Sequence, residues 1–184
     1  MVVISEDVGG SFGAKNNPYP EYIVAAAVSR LTKRPVKWVA TRSEDGHTTG
    51  QAHGVEAELE IASDSDGRLR GIRGSISWPV GAYLGRGAMQ DQGMANHMFS
   101  AYHLPALELE VAQAYSHGPS AAFIRGGGRP IGNFGIERMI DRLARRLDLD
   151  PVEVRRRNLV GPDEMPYQTG FGPMVYDGGD YPRL

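Results

Sequence analysis

Residues 55–78 read VEAELEIASDSDGRLRGIRGSISW, and they decide the fold class. Val55, Ala57, Leu59 and Ile61 alternate with Glu56, Glu58 and Glu60, the period-two pattern of a strand with one wet face. Asp66-Gly67 is a turn signal, and residues 69–78 return as the partner strand. Further on, Leu107, Leu109 and Val111 alternate with Glu108 and Glu110, a third strand of the same kind. The middle of the chain is therefore an antiparallel β region, and its plainest role is scaffold. Between these strands, residues 81–103 are rich in Gly, Met and Gln. They read as a long surface loop, with a lining role at a substrate channel as the alternative.

Helices flank this region. Pro20 opens one at its first position, Ile23, Val24, Ala27, Val28 and Leu31 form its apolar stripe, and Pro35 stops it. Val2-Val3-Ile4 before it and residues 36–40 after it read as short strands. Ile136, Ile140, Leu143 and Leu147 predict an amphipathic helix over residues 131–147. Asp150-Pro151-Val152-Glu153 predicts the next helix start, with Asp150 as N-cap and Glu153 reaching back. Arg155, Arg156 and Arg157 are nearly balanced by Asp148, Asp150 and Glu153, so they read as a solvated face. Residues 165–181 carry no periodic element and read as loop. The expected class is α+β: a mixed, mainly antiparallel sheet with helices packed on it.

A length of 184 residues suits one domain or two small lobes, and 41% hydrophobic residues supply a core. The net charge of −2 gives no sign of a nucleic-acid binder. There is no cysteine, which excludes disulfides, thiolate metal sites and protein-held iron–sulphur clusters. No apolar run has the roughly 20 residues of a membrane span, so a cytoplasmic location is expected. The histidines His47, His53, His97, His103 and His117 fall at no close metal-ligand spacing, and no protein-held metal is expected. The strand at Val2 and the loop at Gly9 come so soon that Met1 reads as a start inside a longer chain.

Two glycine-rich stretches carry the candidate chemistry. GGSFGAK (9–15) lies between a predicted strand and a predicted helix, where backbone N–H groups and a helix dipole favour anions. It is neither a Walker A loop nor GxGxxG. Phe12 within it is costly to expose and should pack against something. RGGGRP (125–130) precedes the second predicted helix, and Arg125 and Arg129 flank bare backbone suited to oxyanions.

In order along the chain, VGGSFGAK (8–15), YPEYIVAAAVSRLTKRPVKWVATR (19–42), FIRGGGRPIGNFGIERMIDRLARRLDLDPVEVRRRNLV (123–160) and MPYQTGFGPMVYDGGDY (165–181) resemble a known family. It is the molybdopterin-binding large subunit of the xanthine dehydrogenase, aldehyde oxidase and carbon monoxide dehydrogenase family. Residues 1–184 match as a partial molybdopterin-binding domain, divided into 1–50, 51–118 and 119–184. The resemblance implies oxidative hydroxylation of an aldehyde or N-heterocycle at a molybdenum centre held by molybdopterin. It further implies a glutamate base and electron exit through iron–sulphur clusters to flavin. Its implied partners are the rest of the large subunit, iron–sulphur and FAD subunits or domains, and a small-molecule substrate, with no nucleic acid or membrane. It places Gly10, Phe12, Gly13, Gly126 and Gly127 at the cofactor and Arg125 at the metal centre as the catalytic candidate.

The departures are specific. The family's catalytic glutamate motif has no match here, and none of Glu21, Glu44 or Glu137 replaces it. The second loop lacks the cysteine that holds copper in carbon monoxide dehydrogenases, which argues against CO oxidation. Asn16 stands where xanthine-oxidising relatives carry glutamate, which argues against a purine substrate. One extra residue falls in residues 119–124. The chain alone is thus expected to be inactive and not to retain the cofactor. Apolar patches near Phe12, residues 89–98 and Phe171 are expected to drive self-association or to stay disordered. A non-catalytic module that binds an anion or a partner through the glycine loops is a second reading, and a phosphate-ester or nucleotide binder is a third, opposed by the missing Ser/Thr after Lys15 and the lack of a carboxylate set for magnesium.

Overall fold

A computed structural model describes residues 2–52, 54–170 and 172–183. They fall into two compact units, the first of residues 1–52, 79–88 and 114–125, the second of 53–78, 89–113 and 126–184.

The second unit holds the hydrophobic core. Strand β1 (Glu56–Ser63) pairs antiparallel with β2 (Leu69–Gly81). The turn at Asp66-Gly67 closes with a Gly67 N–H to Asp64 O bond of 3.0 Å. Strand β3 (Leu107–Tyr115) lies on the other side of β2, giving the order β1-β2-β3. Helix α4 (Arg129–Leu147) turns Ile136, Ile140, Leu143 and Ala144 inward. They pack with Leu69, Ile72, Met98, Phe99, Tyr102 and Leu104, and with Val154 of α5 (Pro151–Asn158). Each such aliphatic side chain stabilises the fold by about 1.5–3 kcal/mol. The α+β class, with helices on a mainly antiparallel sheet, is the one the alternating residues predict.

Asp150 caps α5 as expected, its carboxylate accepting from Val152 N–H at 2.8 Å. Glu153 does not reach back; it pairs with Arg156 one turn on. The loop expected over residues 81–103 contains a helix, α3 (Gln90–His97), in which Met94 is buried; Met98, just beyond it, is buried too. The methionine patch is therefore mostly core, with only Met89 exposed among the three methionines at 89, 94 and 98. Residues 165–181 form a small ribbon of β4 (Tyr167–Gln168) and β5 (Val175–Tyr176) rather than plain loop. Its tyrosines stack 6.1 Å apart, and Tyr176 hydroxyl donates to Ser100 O.

In the first unit, α1 (Pro20–Thr32) starts at Pro20 as expected. Its stripe buries nothing: Ile23, Val24, Val28 and Leu31 are all exposed. Neither Val2–Ile4 nor residues 36–40 forms a strand, because neither has a neighbouring strand to bond, and both lie exposed. An apolar run gives strand propensity, but a strand needs a partner for its backbone. Helix α2 (Arg42–Thr48) was not foreseen. Thr41 and Glu44 form its capping box, the Glu44 carboxylate accepting from Thr41 N–H at 2.7 Å. These bonds hold the Glu44 carboxyl below its ordinary range. His47 lies in the last turn of this helix.

Candidate functional site

The first glycine stretch is tied by backbone to Arg125. The Arg125 N–H donates to Phe12 O at 2.8 Å, within the first unit. Phe12 adopts a left-handed conformation, φ 51°, and Gly13 follows at φ 104°. Gly13 sits so close to residue 123 that a Cβ there would lie 2.2 Å from Phe123 O. Only glycine satisfies both the dihedral and the space.

The first loop differs from its expected form in three ways. It follows no strand. It does not abut α1, because a 3₁₀ turn (Ala14–Asn16) and residues 17–19 intervene. Much of it is bonded to itself: Ala14 N–H donates to Ser11 O at 2.9 Å, Asn16 N–H to Gly13 O at 3.0 Å, and Lys15 N–H to Ser11 Oγ at 3.3 Å. The helix dipole therefore does not aim at this loop. Phe12 does not pack into a core either; it is 67% exposed, its ring over Gly10. The N–H groups of Gly9, Gly10, Ser11, Phe12 and Gly13 stay open, with no acceptor among the described residues.

The second loop keeps the expected relation to a helix. Gly126, Gly127 and Gly128 take φ of 103°, 49° and 83°, and Gly128 is the N-cap of α4. The Gly126 and Gly127 N–H groups have no acceptor among the described residues. Successive left-handed residues before a helix make a concave set of donors suited to an oxygen-rich anionic group. This loop thus fits a phosphorylated or oxo-bearing cofactor. The Arg125 side chain is exposed, with no carboxylate partner among the described residues.

The carboxylates have other duties. Glu44 caps α2. Glu137 accepts from the Tyr102 hydroxyl at 2.7 Å and from Arg155 Nε at 2.8 Å, and Arg155 also reaches Asp141 at 2.8 Å. Burial, then the Glu137 bond, holds the Tyr102 phenol above its ordinary range. For Arg155, burial works against the charge, and the bonds to Asp141 and Glu137 outweigh it. Arg155 is therefore a part-buried structural cation, not a member of a solvated face. Glu21 is different: its Oε2 is buried with no donor among the described residues.

Among the histidines, His47 Nδ1 meets Ser43 O at 2.6 Å and His97 Nδ1 meets Gly93 O at 2.8 Å. His53 and Phe171 lie outside the described residues. Among the described residues, no group of His, Asp and Glu is arranged to hold a metal ion, and no helix is long and apolar enough to cross a membrane.

His103 Nε2 meets Glu164 Oε2 at 2.9 Å, and Gly161 N–H donates to the same oxygen at 2.7 Å. The Gly161 bond first, then His103, lowers the Glu164 carboxyl from its ordinary 4.5. A lowered folded value means stability present above the unfolded value and lost as pH falls through the folded one. Glu164→Gln is expected to lower the melting midpoint at neutral pH, with the difference shrinking as the pH falls and the carboxyl takes up its proton. Thermal melts from pH 3 to 7 check this; a constant difference across that range contradicts it.

The family model for the molybdopterin cofactor-binding domain matches residues 1–159. The chain is 34% identical to the carbon monoxide dehydrogenase large chain of Hydrogenophaga pseudoflava, over 97% of this chain and 23% of that protein. It is 33% identical to the nicotine 6-hydroxylase large subunit of Paenarthrobacter nicotinovorans, over 97% of this chain and 22% of that one. Among solved structures, quinoline 2-oxidoreductase from Pseudomonas putida 86 superposes with a TM-score of 0.87 at 32% identity, covering 96% of this chain and 23% of that chain. The chain thus spans about a quarter of the length of these relatives.

Proposed function

This chain belongs to the molybdopterin cofactor-binding domain family, and from that premise we propose that it supplies part of the cofactor pocket of a molybdenum hydroxylase large subunit. The reaction is oxidative hydroxylation of an aldehyde or an N-heterocycle. The reading is carried by the match across residues 1–159, which takes in both glycine loops and the helices after them. All of 1–184, with its stretches 1–50, 51–118 and 119–184, is read as part of one such domain.

The bound molybdopterin supplies the redox chemistry, and the protein supplies shape and charge. In the first unit, Gly10, Phe12 and Gly13 present bare backbone to the cofactor, with the open N–H groups of Phe12 and Gly13 as donors. Arg125, the catalytic candidate, supports negative charge developing on substrate. In the second unit, the Gly126 and Gly127 N–H groups at the start of α4 hold anionic oxygen. None of Glu21, Glu44 or Glu137 is read as the base: Glu44 and Glu137 are engaged, and Glu21 is outside these loops. The base, the remaining cofactor contacts and the iron–sulphur and FAD partners are assigned to other polypeptide. On this reading the 184-residue chain by itself is inactive.

Metal analysis of the isolated chain, made in cells that synthesise molybdopterin, tests the share of the pocket assigned to it. Molybdenum well below one atom per chain is expected; stoichiometric molybdenum contradicts the assignment. The bare stripe of α1, with Phe12 and Met89, is expected to drive self-association. Light scattering checks this, and a strict monomer at high concentration contradicts it.

A further inference from the structure

We propose that the first unit carries a binding site for a small aromatic carboxylate, apart from the glycine loops. A cavity of about 590 Å³ opens in this unit, walled in part by Pro18, Tyr19, Glu21, Tyr83, Arg86 and Pro119. That volume is in the range of small-molecule sites. None of Gly10, Phe12, Gly13 or Arg125 lines it.

The wall holds an uncompensated cation. Arg86 Nη1 donates to Asn16 Oδ1 at 3.2 Å, and no carboxylate pairs with Arg86 among the described residues. Asn16 is a neutral amide, so it orients the guanidinium and leaves its charge unmatched. A guanidinium carries five N–H donors in a planar fork, and the Asn16 bond takes one of them. A carboxylate accepts two of the rest side by side. The backbone that carries Arg86 is fixed in place. A Cβ on Gly85 would lie 2.9 Å from Ala121 O, and one on Gly87 would lie 2.3 Å from Ala121 C, so the turn lies flat against that residue. Binding therefore has little backbone to order.

The rest of the wall sets the kind of anion. The Tyr19 hydroxyl fixes its ring, donating to Ala14 O at 2.6 Å and accepting from Gly50 N–H at 3.2 Å. That ring, the exposed ring of Tyr83, Pro18 and Pro119 offer apolar surface to a flat body. His47 and His117, in the same wall, are neutral or positive and do not repel an anion. Glu21 is the one acid of the wall among the described residues. Its Oε2 is closed to solvent, and the dipole of α1 offsets part of its charge. Its remaining charge disfavours a second negative charge on the ligand, which selects a monocarboxylate over a phosphate or a dicarboxylate. A single carboxylate on a flat ring meets these conditions.

The probe is benzoate, with neutral benzamide as control, in equilibrium dialysis against the 184-residue chain. Saturable binding of benzoate is expected, with benzamide at least about tenfold weaker. Arg86→Gln, checked for folding by circular dichroism, is expected to weaken benzoate about tenfold. Arg30→Gln removes an exposed cation outside the cavity and is expected to leave the affinity unchanged. Should the Arg86 variant not fold, Tyr83→Ala at an exposed position is expected to weaken binding about threefold. Absence of saturable binding, equal binding of benzamide, equal losses from the two arginine substitutions, or unchanged affinity in a folded cavity variant overturns the proposal. The readout is binding alone, so it stands or falls independently of the molybdenum reading.

Discussion

Gly128→Val is expected to destabilise the second unit by about 4 kcal/mol, summing a strained left-handed residue and an overpacked contact. Gly128 has φ 83°, and a Cβ there would lie 2.1 Å from Gln90 O and 3.1 Å from Met94 N. Both are backbone atoms of α3, which cannot rotate aside. Two neighbours tell the same story: a Cβ on Gly132 would lie 2.4 Å from Met94 O, and one on Gly93 would lie 2.5 Å from Gly127 O. The α3 and α4 backbones therefore approach along a seam of bare glycine, and the second loop is part of it. At about 2–4 °C per kcal/mol, the melting midpoint falls by about 10 °C. Gly46→Ala is the control. It sits inside α2 with nothing within 4 Å of the added carbon, so a neutral or slightly raised midpoint is expected. Equal effects from the two substitutions contradict the seam.

Asn158→Leu is expected to cost about 3 kcal/mol, or about 6–12 °C, although leucine is apolar and similar in size. Asn158 is buried at the end of α5. Its Oδ1 accepts from Leu69 N–H at 2.9 Å, and its Nδ2 donates to Gly67 O at 2.9 Å and Val154 O at 2.7 Å. One side chain thus satisfies the hairpin turn and ties it to the helix. Leucine leaves a buried N–H and a carbonyl without partners, which is more costly than the bonds themselves are worth. Thermal melts check this; a loss under about 2 °C shows that water or a shifted backbone replaces the amide.

The same residue shows what the sequence did and did not reveal. The run from Leu147 to Leu159 was one of the stretches that carry the resemblance, but not all of its physical content was readable. Arg155 looked like one of three surface cations and is a bridge to Glu137 and Asp141. The helices α1, α4 and α5 were legible because proline, capping and spacing act within a few residues. The β1–β2 hairpin was legible for the same reason. Residues 2–4 and 36–40 were misread because pairing depends on a distant neighbour that propensity does not encode. Helix α3 was missed because its polar, glycine-bearing sequence shows little helical pattern; its place is set by packing on α4. For α2, the signal was present: Thr41 followed by Glu44 is a capping box. In the candidate site, the resemblance picked out the two loops, and the Phe12–Arg125 bond joins residues 113 positions apart, beyond any local signal.

The central claim is that this chain builds part of a molybdopterin pocket. Its most direct test is the molybdenum and pterin content of the intact polypeptide carrying this sequence, purified from its own source under molybdenum-replete growth. About one molybdenum and one pterin per polypeptide is the predicted result. A folded polypeptide with neither contradicts the account.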